Sequence, residues 1–218
     1  MTIEDAIQKI HDIGIVPVVR AANLDEARRA VDAICTGGIP VIEITMTVPN
    51  APAMIQELVR HYGSSALTGA GTVTTAKQAE ICLDAGAQFL VSPGLSVPVL
   101  QTAARRGVLA IPGALTPTEV MTALEAGAKV IKIFPCGSAG GSKHIKALKA
   151  PFPDTRLIPT GGVNLTNAAE YFAAGAFALG VGADLVDLTA LRKNQPQKII
   201  DMAKALIDAV RLARSSNP

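Results

Sequence analysis

The chain has 218 residues, 49% of them hydrophobic and 17% charged, which is enough apolar material for one sizeable core and too little charge for a solvated tail. A net charge of +2, no run of Lys or Arg and only 3% aromatic residues leave neither an electrostatic footprint nor a stacking platform for nucleic acid. No uninterrupted apolar stretch reaches membrane-spanning length, so the expectation is a soluble protein that acts on a small molecule, with no nucleic-acid or membrane partner.

In chain order, a helix is expected over 2–13 and a first strand over 15–20. An amphipathic segment over 24–36, with Asp25 near its start, leads through Gly37-Gly38 into a strand over 40–45. Further strands are expected over 66–70, 88–92, 108–111, 129–134, 156–160 and 177–181. A second clear helix covers 117–126, with Thr118 near its start, and a closing helix covers 196–213. One phrase recurs: a helix-like segment, a glycine, then a short β-branched run, as at Ala85-Gly86-Ala87, Arg106-Gly107-Val108, Ala126-Gly127-Ala128 and Ala174-Gly175-Ala176. Glycine just past a helix supplies the left-handed cap, and a recurrence of about 20–24 residues is the length of one βα unit. Eight alternations predict an α/β fold, a (β/α)8 TIM barrel with an extra N-terminal helix, as one domain over 1–218. The competing layout is an open doubly wound sheet, but no nucleotide fingerprint follows the first strand.

Cys35, Cys82 and Cys136 are scattered and odd in number, which suits a reducing cytoplasm. Met1-Thr2-Ile3-Glu4-Asp5 lacks the basic-then-apolar order of a signal peptide. His11, His61 and His144 show no ligand spacing, so no metal is expected.

Two short apolar runs carry a charge near their middles: Val41-Ile42-Glu43-Ile44-Thr45 and Lys129-Val130-Ile131-Lys132-Ile133-Phe134-Pro135. Lys and Glu are seldom buried unless paired or functional. With Glu43 and Lys132 turned into a barrel, the flanking isoleucines face the helices, where a barrel needs them. Two meanings stay open at this point: a buried ion pair, or an amine and a proton carrier for Schiff-base chemistry. Glycines cluster at the strand ends, in Gly69-Ala70-Gly71-Thr72, Ser92-Pro93-Gly94, Pro112-Gly113, Thr160-Gly161-Gly162 and Gly180-Val181-Gly182. Those after strands seven and eight stand where such barrels bind phosphate.

These motifs, in this order, resemble the 2-keto-3-deoxy-6-phosphogluconate / 4-hydroxy-2-oxoglutarate aldolases, class I enzymes on a small trimeric (β/α)8 barrel; the resemblance runs from about Gly14 to Val186. It implies a carbon–carbon lyase that releases pyruvate and an aldehyde, a homotrimer, and no cofactor. It makes Lys132 the Schiff-base lysine and Glu43 the general acid/base. Thr72, Phe134 and Thr160 would line the pyruvate-derived end, Ser92 and Pro93 would also bind substrate, and Gly161, Gly162 and Gly182 would give backbone contacts to phosphate. Other readings remain: a barrel lyase or isomerase that forms no imine, and a ligand-binding barrel without turnover.

Two positions depart from the family pattern. Where some members carry an arginine for the substrate carboxylate stands Thr47, and Arg20 at the end of the first strand is expected to take that role. Where a serine usually contacts phosphate stands Ala183, which makes an unphosphorylated 2-keto-3-deoxy acid an alternative substrate. The loop Cys136–His144 lies just beyond Lys132; Lys143 and His144 could reach a distal substrate or simply belong to a surface loop. Cys136 is expected to pack, Lys146 and Lys149 to lie on a solvated helix face, and Asp184 and Asp187 to lead into the last helix.

Overall fold

The computed structural model describes residues 1–215. The chain opens with α1 (Ile3–Ile13), fixed by a reciprocal cap in which Asp5 N–H donates to Thr2 Oγ1 at 3.1 Å and Thr2 N–H donates to Asp5 Oδ2 at 2.7 Å. Strands and helices then alternate as β1 (Ile15–Val19), α2 (Leu24–Thr36), β2 (Val41–Thr45), α3 (Ala51–Tyr62), β3 (Leu67–Gly71), α4 (Ala76–Asp84), β4 (Phe89–Val91), α5 (Val97–Arg105) and β5 (Leu109–Ile111). Beyond Pro112 follow β6 (Gly113–Ala114), α6 (Pro117–Glu125), β7 (Ile131–Ile133), α7 (Ser142–Lys149), β8 (Leu157–Pro159), α8 (Ala168–Ala173), β9 (Leu179–Val181), α9 (Leu188–Arg192) and α10 (Gln197–Ser215).

The strands pair in parallel in the order β5-β4-β3-β2-β1-β9, and separately as β6-β7-β8. Two seams join these arcs into a (β/α)8 barrel. At one, a parallel bridge links Thr160 to Gly180. At the other, β5 and β6 act as one strand interrupted by Pro112: β5 pairs with β4 and β6 pairs with β7. Pro112 has no N–H for the ladder, yet its carbonyl accepts Lys132 N–H at 2.9 Å. Pro112-Gly113 is therefore a joint inside the fifth strand, whereas the sequence pattern placed the strand's end there.

Ile42, Ile44, Ile131 and Ile133 are fully buried on the helix-facing side of their strands, against the surrounding layer. α1 touches β1, β2 and β5 with its buried face of Ala6, Ile7 and Ile10 and so closes the N-terminal end of the barrel. Gly86 and Gly175, at two joints of the recurring phrase, both have φ of 91°, a conformation that a Cβ would oppose.

Asp25 and Thr118 lie in the first turns of α2 and α6, whose caps are Asn23 and Thr116; in each case the cap's side-chain oxygen accepts an N–H three residues on, at Glu26 and Glu119. Two local expectations are corrected. Asp187 caps the extra short helix α9 by accepting Ala190 N–H at 2.9 Å. Lys149 is not on a solvated face: it is half-buried, and its ammonium donates to the carbonyls of Pro153 and Thr155. Among the described residues, no helix is long and apolar enough to cross a membrane.

Candidate active site

Paired residues of parallel strands put their side chains on the same face. Glu43 is registered with Val18 on β1 and Gly69 on β3, and Lys132 with Gly113 on β6 and Ile158 on β8. These layers point into the barrel. There Lys132 Nζ stands 3.9 Å from Glu43 Oε1, with both side chains buried. That separation is longer than a charge-assisted hydrogen bond, and Glu43 Oε1 has no hydrogen-bond partner among the described residues. Burial raises the Glu43 pKa above its ordinary value, while the charges of Lys132 and Arg20 pull it back. The pair is too loosely joined to be a saturated structural ion pair.

Glycine makes the room. A Cβ on Gly71 would stand 1.9 Å from Glu43 Oε1, so the carboxylate occupies space that only glycine leaves free. A Cβ on Gly69 would meet the Phe89 ring at 2.4 Å, and one on Gly180 would meet Thr160 Oγ1 at 2.1 Å. The strand pattern Gly69-Ala70-Gly71 carries this signal, since residues two apart share the inward face. The sequence pattern places these glycines at strand ends without showing what they make room for.

The remaining expected residues gather at the C-terminal ends of the strands. The Phe134 ring centroid lies 5.3 Å from Lys132 Nζ, a cation–π contact that walls one side of the amine. Thr72 has φ of 58°, unusual for a β-branched residue, and this strained turn closes β3. Ser92 is buried and donates its hydroxyl proton to Val73 O at 2.7 Å. Its proton thus braces the Thr72 turn. The backbone of Pro93 lies against Gly113, whose Cβ would come within 2.3 Å of Pro93 O. Thr160 is buried at the seam with β9. Arg20 is exposed at the end of β1, and its guanidinium makes no hydrogen bond or ion pair with another described residue. Thr45 Oγ1 donates to Val19 O at 3.1 Å and shares a 2.6 Å hydrogen bond with Thr47, so Thr47 is tied down beside the mouth.

Gly161 and Gly162 take φ of 87° and 77°, and a Cβ on Gly162 would approach Gly137 Cα to 3.2 Å. The Cys136–His144 loop backs this turn: Cys136 N–H donates to Thr160 O at 2.9 Å and Gly137 N–H to Gly161 O at 2.8 Å. Asn167, which the sequence did not single out, donates to Gly162 O at 2.8 Å from the other side. His144 Nε2, in the first turn of α7, lies 2.8 Å from Leu115 O and ties the start of that helix to the turn after β6, while Lys143 beside it is exposed. Burial pushes the Cys136 thiol up to about 11, as befits a packing residue. Gly182 and the exposed Ala183 follow β9 directly. A second contact missed from sequence lies behind Arg20: Glu26 accepts Ala22 N–H at 2.8 Å and Arg192 Nε at 2.7 Å, tying the β1–α2 loop to α9.

An eight-stranded parallel barrel with an amine and a carboxylate facing each other inside it, below glycine-rich strand ends, has the design of a barrel enzyme. Residues 6–202 match the family model described as KDPG and KHG aldolase. Among curated relatives, the 2-dehydro-3-deoxy-6-phosphogalactonate aldolase of Escherichia coli (strain K12) is 36% identical over 197 residues, covering 90% of this chain and 96% of the relative. The KHG/KDPG aldolase of the same organism is 33% identical over 198 residues, covering 91% and 92%. Among solved structures, the KDPG aldolase of Legionella pneumophila, with pyruvate captured at low pH as a covalent carbinolamine intermediate, superposes with a TM-score of 0.86 at 30% identity, covering 92% of this chain and 97% of that one. The chain belongs to the KDPG and KHG aldolase family.

Proposed function

We propose that this barrel reversibly cleaves a 2-keto-3-deoxy or 2-keto-4-hydroxy acid into pyruvate and an aldehyde through an imine on Lys132. The observation that carries this assignment is the buried Glu43 oxygen, unpartnered and 3.9 Å from a buried amine. The carbinolamine of the Legionella relative supports the same covalent chemistry.

Lys132 Nζ, as the free amine, attacks the C2 ketone, and loss of water leaves an iminium. Glu43 takes the C4 hydroxyl proton, directly or through one water; the C3–C4 bond breaks, and its electron pair flows into the iminium to give an enamine. The aldehyde departs. Glu43 returns its proton to C3, and water hydrolyses the iminium to release pyruvate and restore the amine. Arg20 holds the substrate carboxylate with its planar fork. Thr72, Pro93, Phe134 and Thr160 enclose the pyruvate-derived end, and Ser92 acts there through the Thr72 turn. Gly161, Gly162 and Gly182 offer backbone N–H groups to a distal phosphate, as in 2-keto-3-deoxy-6-phospho sugar acids. The protein acts in the cytoplasm as a homotrimer of single-domain barrels.

Ala183 favours a second reading of the distal end, in which the aldehyde carries no phosphate. A hydrogen bond to a charged group is worth about 1.5–3 kcal/mol, or roughly 10- to 150-fold. Ala183→Ser should shift the kcat/KM ratio toward phosphorylated substrate, and an unchanged ratio would remove this reading.

The deciding experiment is intact-protein mass after borohydride treatment with and without pyruvate, followed by peptide mapping. A single reduced pyruvate adduct on Lys132 is expected. No adduct on folded protein would return Lys132 and Glu43 to a structural ion pair.

A further inference from the structure

At the end of the barrel opposite the glycine-rich loops, the chain entering β8 and β9 borders a cleft of about 470 Å3. Three cations line it: Lys149 at the end of α7, Arg156 just before β8, and Arg214 near the end of α10. Among the described residues a single carboxylate, Asp154, shares the wall, and none of the three cations forms an ion pair with a described carboxylate.

The three are held in place without being neutralised. Lys149 donates to the carbonyls of Pro153 and Thr155, and Arg214 to those of Asp12 and Phe177, the last two at 3.3 Å. The Arg214 guanidinium lies 5.3 Å from the Phe172 ring centroid and that of Arg156 5.8 Å from the Phe177 ring centroid. Ring faces and carbonyl oxygens orient a cation but leave its full charge facing the cleft. Gly175 contributes as well, since a Cβ there would press on the Lys149 stem at 3.0 Å. Burial lowers the pKa of both Lys149 and Arg214 and outweighs the opposing charges of Asp154 on the first and Asp12 on the second, so each carries its charge where water is partly withdrawn, and a counter-anion would relieve both. The cleft is of small-ligand size, and guanidinium forks bind phosphate and carboxylate groups bidentately.

We propose that this cleft is a second, non-catalytic site for a compact polyanion, a phosphate- or polycarboxylate-bearing small molecule, with Arg156 as its principal fork. The site is independent of the aldol chemistry, which lies at the other end of the strands.

The test is calorimetric titration of the full chain with inorganic pyrophosphate, and separately with citrate, at low ionic strength. Saturable binding by at least one of the two is expected, weakened by added salt and weakened about tenfold or more by Arg156→Gln. Arg156→Lys, which keeps the charge but not the fork, should weaken it several-fold and serves if the glutamine variant folds poorly. In both variants kcat/KM for aldol cleavage should match wild type. No saturable binding of either anion, or constants unchanged in both variants, overturns the proposal; in the latter case the anion sits elsewhere, as at the Gly161–Gly162 turn. Preference for pyrophosphate over citrate, or the reverse, separates a phosphate ligand from a carboxylate one.

Discussion

Replacing Gly71 with alanine should disable the site without altering any group that touches substrate. The backbone at Gly71 does not have positive φ, so alanine is conformationally allowed there. The new Cβ, however, would lie 1.9 Å from Glu43 Oε1, 2.5 Å from its Cδ and 2.6 Å from its Cγ, where real contacts stay above 3.0 Å. The carboxylate must therefore retreat by about 1 Å, a displacement that costs a catalytic group on the order of 100-fold in rate. Complete loss of a general acid/base costs roughly 100- to 10,000-fold, so kcat should fall by about 100-fold or more. Overpacking should also cost about 1–3 kcal/mol of stability, a melting shift of roughly 2–12 °C for a chain of this size. The assay is kcat for aldol cleavage per folded molecule, with borohydride trapping of pyruvate to show that Lys132 still forms its imine. Gly69→Ala is the control: its Cβ strikes the Phe89 ring at 2.4 Å, so stability should drop while the folded fraction keeps its rate. A Gly71→Ala enzyme within threefold of wild-type kcat would refute the placement of Glu43 as proton carrier.

Arg20→Ala should raise KM for the keto acid by about 10- to 150-fold through loss of a charge-assisted contact. Because the Arg20 charge pulls the Glu43 pKa down, the same change should move the acid limb of the kcat/KM profile to higher pH; an unmoved limb would separate Arg20 from the site. Thr68 carries a buried hydroxyl with no hydrogen-bond partner among the described residues, so Thr68→Val should raise stability by about 1 kcal/mol, and a lower melting temperature would contradict that. Lys132→Met leaves Glu43 buried without its neighbouring cation, and the folded-state pKa of Glu43 should rise further. The resulting instability should be absent below the ordinary carboxyl pKa of about 4.3 and grow as pH rises toward the folded-state value. Adding Glu43→Gln should remove that pH dependence and bring stability to wild type or above, as expected when a buried ion pair is replaced by neutral groups; pH-independent loss in the single variant would count against the coupling.

The strands were legible because most are short runs, rich in β-branched residues, that follow a glycine at the end of the preceding helix, a local pattern. Glu43 and Lys132 were legible for the opposite reason, as charges inside such runs. What sequence could not show was which residues meet across strands. Gly71 reads as a turn glycine until the β2–β3 register sets it beside the Glu43 side chain. The hydroxyl bond from Ser92 to Val73 O, between the segments that follow β4 and β3, has no local sequence signal. Pro112 reads as a strand end because a proline breaks the ladder, but here its carbonyl keeps a rung with β7. Lys149 fits a polar helix face by spacing alone; the carbonyls that capture it belong to the following turn, whose path a helical period does not specify.

The bridge from Thr160 to Gly180 joins two three-residue strands, and the proposed phosphate-contacting glycines lie directly beyond both of its ends. A ligand that grips Gly161, Gly162 and Gly182 together therefore acts as a clasp across the closing seam of the barrel. Its binding energy then resists opening of that seam as well as dissociation, so occupancy and resistance to local unfolding rise together. Hydrogen exchange at the seam would report how full the site is, and the barrel would be most firmly closed when it has substrate to work on.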